Sequence, residues 1–207
     1  LKSRFMSMAS HEFRTPLSAI LTSATLIGKQ QEPGMEDRRD RYVAQIQNNV
    51  RNLVVILDDF LSLSKLDEGE IACNPTTFDL KALLRKVLEE METHLKIGQH
   101  FVEDCEPGSY QLRQDPKLTR HILLNLLSNA IKYAPENTVI ELVMRRVKEN
   151  IVLSVRDYGI GIPKKEQEQI FNRFFRARNA ENIQGTGLGL NIVKQYTELM
   201  GGQIHFT

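Results

Sequence analysis

Seven positions, Val43, Ile46, Val50, Leu53, Leu57, Phe60 and Ser64, step alternately by three and four residues. This heptad spacing is apolar up to its last member and predicts a helix that lays one seam against other helices. Tyr42, Val54, Leu61 and Leu63 lie beside the seam and widen the apolar surface. A second stripe precedes it: on a helical wheel Phe5, Met8, Ala9, Phe13, Pro16, Leu17, Ile20, Ala24 and Ile27 gather on one face of residues 1–30. Between them "QQEPGMED", residues 30–37, reads as a turn in which Pro33-Gly34 breaks the helix. Two helices cannot bury this much apolar surface by themselves. Pairing of two hairpins into a four-helix bundle is the simplest solution; packing against the rest of the same chain is the alternative.

After residue 66 the pattern changes. The polar stretch "DEGEIACNPTT" carries Gly69 and Pro75 and reads as a linker. A strand-like "TTFDL" leads into a helix at about 79–97, followed by short strands near 100–105 and 110–113. The next helix starts with Asp115 as N-cap and Pro116 at its first position, and stops before Pro135. "VIELVMRR" and "NIVLSVRD" alternate as strands, a last helix spans about 188–200, and "QIHFT" is expected to begin another strand. The expected fold is therefore multi-domain. It is an all-α hairpin (1–66) that dimerises into a four-helix bundle, a linker (67–75), and an α+β two-layer sandwich of mostly antiparallel strands (76–207) whose C-terminal strand is cut short.

Charge and cysteine usage narrow the function classes. Lysine and arginine number 27 against 26 acids, a net charge of +1, which leaves no electrostatic footprint for nucleic acid. The two cysteines, Cys73 and Cys105, form no C-x-x-C pair, so a disulfide framework or zinc site is not expected and a reducing cytoplasm fits. No apolar run is long enough for a membrane span. Residues 1–5 already look helical, so the chain is expected to be cut from a longer protein, and a membrane segment upstream stays open.

Four stretches carry chemistry. In "ASHEFRTPLS" His11 falls opposite the centre of the first apolar stripe and points outward. Thr15 follows one turn later on the same side, Glu12 lies about a quarter-turn away, and Pro16 should bend the helix beyond the histidine. A zinc-protease H-E-x-x-H is excluded by Thr15. In the helix from Asp115, Asn125, Asn129 and Lys132 share one face; two amides and a cation suit a metal ion and phosphates, against the plain alternative of a solvated face. "DYGIGIP" ends a strand with Asp157, able to accept a hydrogen bond from an amine such as that of adenine, while Gly159 and Gly161 permit close approach to the backbone. "GTGLGL", with Gly185, Gly187 and Gly189 at a helix N-terminus, makes an anion site that is neither a P-loop nor a convincing Rossmann turn. Residues 171–184 between these clusters read as a lid, or as a plain surface loop.

Together these residues resemble the cytoplasmic catalytic core of a bacterial two-component sensor histidine kinase. "HEFRTPL" resembles its H-box, "NLLSNAIKYAP" its N-box, "DYGIGIP" its first glycine box, "FNRFFR" its F-box and "GTGLGL" its second glycine box, in the expected order. The resemblance implies a HisKA-type dimerisation and phosphotransfer domain followed by a Bergerat-fold ATP site. It implies ATP and Mg²⁺ as cofactors, a homodimer, and the receiver domain of a response regulator as partner. By position, Asn129 would ligate Mg²⁺ with Asn125 assisting. Lys132 would meet the phosphates, Tyr133 would line the pocket, and Asp157 would bind the adenine amine beside Gly159 and Gly161. Gly185, Thr186, Gly187, Leu188 and Gly189 would wrap the triphosphate, and Arg176 would reach the γ-phosphate. His11 would accept the phosphoryl group with Glu12 as general base, and the H-E-x-x-T pattern implies that Thr15 serves dephosphorylation of the regulator. Two other functions remain open to comparison: a nucleotide-binding scaffold, which His11 argues against, and an ATP-driven clamp, whose hydrolytic base is replaced by the amide of Asn125. The resemblance also implies that this piece is cytoplasmic and leaves open a sensor region upstream in a parent anchored at the inner membrane.

Overall fold

The computed structural model describes residues 2–29, 34–183 and 185–207, without the side chains of residues 2–9 and of His11. Residues 30–33 of the expected turn, and the outward orientation expected of His11, lie outside what is described. The chain divides into two compact units, Leu1–Lys65 and Leu66–Thr207.

The first unit is a hairpin of α1 (Lys2–Lys29) and α2 (Glu36–Asp67), the last two residues of α2, Leu66 and Asp67, belonging to the second unit. The pairs Phe13–Phe60, stacked at 5.9 Å between ring centroids, and Ser23–Gln45, hydrogen-bonded at 3.1 Å, fix the two helices as antiparallel. Pro16 lies inside α1 and is buried, its missing N–H tolerated within an otherwise helical run. The heptad seam divides between two environments. Of its members only Phe60 is buried, and it shares its buried face with Ile56 and Leu63, which lie off the seam. Val43, Val50 and Leu57 remain 42–47% exposed, with Val54 and Leu61 beside them.

The second unit contains β1 (Thr76–Asp79), α3 (Leu80–Met91), β2 (His100–Cys105), β3 (Gln111–Gln114), α4 (Pro116–Tyr133), β4 (Val139–Val147), β5 (Asn150–Arg156) and α5 (Gly189–Leu199). β1 and β3 form a two-stranded antiparallel ribbon, and a three-stranded sheet runs β2-β4-β5. β2 and β4 are parallel and β4 and β5 antiparallel. The parallel pair follows from α4, which lies in the crossover between its two strands. Helices cover one face of the sheet. Leu84 and Val87 of α3, Leu123 and Leu127 of α4, and Ile140, Leu142 and Met144 of β4 build the core with no exposed surface.

Two expectations change. The helix expected to reach residue 97 stops at Met91, continues as a 3-10 turn through His94 and gives way at Leu95 to extended backbone, before Gly98 at φ +71°. "QIHFT" is not a strand: residues 203–207 have no regular structure, because a strand exists only through a ladder partner and none among the described residues pairs with them. Among the described residues no helix is long and apolar enough to cross a membrane.

Candidate functional site

The N-cap sets the helix that carries the amides. Asp115 Oδ1 accepts from the N–H groups of Lys117 (2.8 Å) and Leu118 (3.1 Å), and Oδ2 from Asn74 N–H (2.9 Å). Burial works to raise the Asp115 carboxyl, but the three backbone donors outweigh it and hold its pKa below the usual value. From this start, four-residue spacing brings Asn125 and Asn129 onto one face of α4. Asn125 Nδ2 donates to His121 O at 3.1 Å, which turns its Oδ1 the other way.

That oxygen faces the glycine-rich loop. A Cβ added at Gly189 would come within 2.6 Å of Asn125 Oδ1 and 3.9 Å of Asn129 Nδ2. One at Gly185 would collide with Lys132 Nζ and approach Tyr133 Oη at 4.0 Å. Lys132 Nζ also lies 4.7 Å from the centroid of the Tyr133 ring. The side chains expected together are therefore together, and the glycines opposite them leave space that any other residue would fill. Gly189 opens α5, whose N-cap Leu188 supplies no side-chain hydrogen bond, so the first-turn N–H groups have no capping side chain. Buried Thr186 accepts from Leu188 N–H at 3.2 Å.

The first glycine box closes the other side. Asp157 Oδ1 accepts from Gly159 N–H at 2.8 Å; a carboxylate so engaged keeps acceptor capacity for an amine. A Cβ at Gly159 would sit 2.6 Å from Tyr133 O, so the turn rests directly on the end of α4. Gly161 takes φ +63°.

Between the glycine clusters, residues 171–183 are braced by contacts that the sequence does not announce. Arg176 Nη2 donates to the carbonyls of Ala180 (3.1 Å), Glu181 (2.8 Å) and Ile183 (2.6 Å), while its Nε is buried without a partner. As placed, this guanidinium holds the shape of the 176–183 segment, and reaching a phosphate would require it to release those carbonyls. Asn179 Nδ2 donates to Ile160 O and Gly161 O, tying this segment to the turn after Asp157. Asn191 of α5 holds Phe171 O at 2.8 Å. Arg173 pairs through both Nη atoms with Asp67, the last residue of α2 and part of the second unit, and holds its carboxyl below the usual range. Asn191 is a buried polar residue on a helix whose neighbours Ile192 and Val193 are buried and apolar.

The residues present suit a nucleotide with its metal. Among the described residues no three His, Cys, Asp or Glu side chains gather into a metal site of their own. Two amide groups beside a glycine-rich loop at a helix N-terminus fit a hard cation that takes most of its oxygens from phosphates and water. Residues 1–69 match the family model described as the His Kinase A (phospho-acceptor) domain. Residues 114–207 match the model described as the histidine kinase-, DNA gyrase B- and HSP90-like ATPase. The chain belongs to the histidine kinase family.

The relatives of this histidine kinase core agree along its whole length. It is 32% identical over 208 residues to the circadian input-output histidine kinase CikA of Synechococcus elongatus, covering 98% of this chain and 28% of that protein. It is 34% identical over 212 residues to the sensor protein GacS of Pseudomonas syringae, covering 99% and 23%. The chain thus spans about a quarter of the length of these curated relatives. Among solved structures, the histidine kinase AdeS of Acinetobacter baumannii superposes with a TM-score of 0.70 at 25% identity, over 91% of this chain and 86% of that one. Histidine kinase ThkA, solved in complex with the response regulator TrrA, superposes with a TM-score of 0.74 at 25% identity, over 96% and 55%. The second unit of this histidine kinase core is thereby an ATP-binding domain. Its H-box places Glu12 half-buried and Thr15 exposed on α1, which also contains His11.

Proposed function

We propose that the chain is the catalytic core of an ATP-dependent protein-histidine kinase that phosphorylates His11 and passes the phosphoryl group to an aspartate of a response-regulator receiver domain. The observation that carries this reading is the convergence of Asn125, Asn129, Lys132 and Tyr133 on Gly185 and Gly189, in a chain whose first helix carries His11-Glu12.

In this reading ATP lies between α4 and the two glycine boxes. Asp157 accepts from the adenine amine, Tyr133 lines the pocket and Lys132 meets the phosphates. The N–H groups from Gly185 to Gly189 hold the triphosphate at the positive end of α5. Asn129, assisted by Asn125, would hold Mg²⁺, which when bound neutralises charge on the phosphates. One ring nitrogen of neutral His11 attacks the γ-phosphorus; an N–P bond forms, the bond to the bridging oxygen breaks, and the electron pair leaves with ADP. Glu12 orients the ring through the other nitrogen and takes up its proton. Arg176 and Asn179 keep the lid folded over the phosphates.

Two hairpins pair along the exposed part of the seam, Val43, Val50 and Leu57, to give a homodimer. The ThkA–TrrA complex supports a receiver domain as the phosphoryl acceptor. The greater length of the relatives supports a longer parent, in which a sensor region and a membrane attachment belong to the same proposal. The direct test is incubation with γ-labelled ATP and Mg²⁺ followed by acid and alkali. Label that is lost in acid and stable in alkali is expected; acid-stable label, or free phosphate with no labelled protein, contradicts the reading.

A further inference from the structure

The side chains that meet the glycine loop project from the last turn of α4, and the way that turn ends is unusual. A helix leaves its last four carbonyls without helical partners, and a glycine beyond the end commonly satisfies them locally. Here Ala134 and Pro135 follow, and neither supplies that motif. The carbonyls are met from elsewhere. Ala130 O accepts from Ala134 N–H at 3.1 Å, and Tyr133 O from Ile160 N–H of the first glycine box at 3.3 Å. Ile131 O accepts from Gln99 Nε2 at 3.2 Å, and Lys132 O from Lys96 Nζ at 2.8 Å. The same two side chains continue past the helix: Lys96 Nζ reaches Ala134 O at 2.6 Å, and Gln99 Nε2 reaches Ala134 O at 3.2 Å and Pro135 O at 3.0 Å.

The two donors are themselves locked together. Lys96 N–H donates to Gln99 Oε1 at 2.9 Å, and Gln99 N–H to Lys96 O at 3.0 Å. Gln99 is 6% exposed, so its amide has no competing water. Lys96 places a cation at the negative end of the helix dipole, where its hydrogen bonds are charge-assisted. Among the described residues, the hydrogen bonds that both side chains donate go to the end of α4 and its continuation, not to the glycine loop. Each fixes the backbone from which Lys132 and Tyr133 reach it.

We propose that Lys96 and Gln99 are positioning residues of the nucleotide site: by clamping the last turn of α4 from the connection before β2, they set the reach of Lys132 to the phosphates and so the affinity for the triphosphate. The inference rests on the reading of this site as one for ATP. Without the clamp the last turn frays first at Lys132, whose carbonyl Lys96 holds; Asp157 follows β5 and leans on that turn only through Tyr133 O, so it is disturbed less. Phosphate recognition is therefore lost before adenosine recognition.

The test is calorimetric titration of the full chain with Mg-ATP and with adenosine, for wild type, Lys96→Met, Lys96→Arg and Gln99→Leu, with circular dichroism to confirm folding. Lys96→Met is expected to weaken Mg-ATP about tenfold while changing adenosine less than about threefold, and Lys96→Arg to restore most of the loss. Gln99→Leu should act in the same direction; should it not fold, the half-buried Lys96 site decides. A residue needed only for folding would change the two ligands by the same factor, and that result, or no change in either, overturns the clamp. Wild type that binds ATP no better than adenosine contradicts the site reading itself, a failure distinct from that of the clamp.

Discussion

Gly187 is the point at which the F-box and the second glycine box touch, and replacing it with alanine tests how tightly they are built. Gly187 takes φ +69°, where an L side chain costs about 1 kcal/mol. A Cβ there would also lie 2.8 Å from Phe174 C and from Phe175 O. Both are backbone atoms that cannot rotate aside, a conflict of about 2 kcal/mol on the scale of overpacked cores. Relief by local shift is blocked, because Phe174 N–H donates to Gly187 O at 3.0 Å and Phe174 is itself left-handed at φ +63°. The total of about 3 kcal/mol is most easily released by undocking the lid, since core residues such as Leu127 and Ile140 do not depend on it. A site competent in about one molecule in a hundred binds about a hundredfold more weakly. Gly201→Ala is the control: φ is +73° but nothing lies within 4 Å of its Cβ, so it carries the backbone cost alone. Calorimetry with Mg-ATP should show the large loss for Gly187→Ala and less than about a threefold change for Gly201→Ala. Equal affinities for Gly187→Ala and wild type, or equal losses in both variants, would refute the reasoning.

Asn129→Ala should weaken Mg-ATP more than adenosine, and Asp157→Ala should weaken both; calorimetric profiles that coincide would remove the division between metal and adenine recognition. Thr15→Ala should keep autophosphorylation and phosphotransfer but lose phosphatase activity, because an exposed hydroxyl one turn from His11 can position a water for in-line attack on the regulator's phospho-aspartate. Decay of purified phospho-regulator accelerated equally by both proteins would leave Thr15 without that role. The exposed seam predicts a dimer by light scattering at micromolar concentration, dissociated by Val50→Asp with Leu57→Asp; a monomeric wild type would contradict the pairing.

What could be read from the sequence was local in origin. α4 was legible because an N-cap, a proline and a spacing of four lie within one stretch, and these alone put Asn125 and Asn129 on one face. The seam of α2 was legible for the same reason. That the buried face of α2 is Ile56, Phe60 and Leu63 and not the seam, most of which stays open, depends on where Phe13 meets Phe60, which periodicity does not encode. "QIHFT" has strand-forming residues but no strand, since a ladder is a property of two segments. The roles of Arg176, Asn179, Lys96 and Gln99 were not legible, because each is defined by the carbonyls it meets. For Lys96 and Gln99 those carbonyls lie more than thirty residues away in sequence. The family resemblance implies that Arg176 reaches a phosphate, whereas its place beside the carbonyls of Ala180 and Ile183 depends on residues 180–183 folding back on it.

The central claim is that His11 receives the γ-phosphoryl group from ATP bound in the second unit. The most direct measurement compares wild type and His11→Gln with γ-labelled ATP and Mg²⁺, scoring acid-labile protein label alongside ATP affinity. The account predicts that the variant binds ATP as wild type does and carries no label. Full labelling of His11→Gln with intact binding would contradict it.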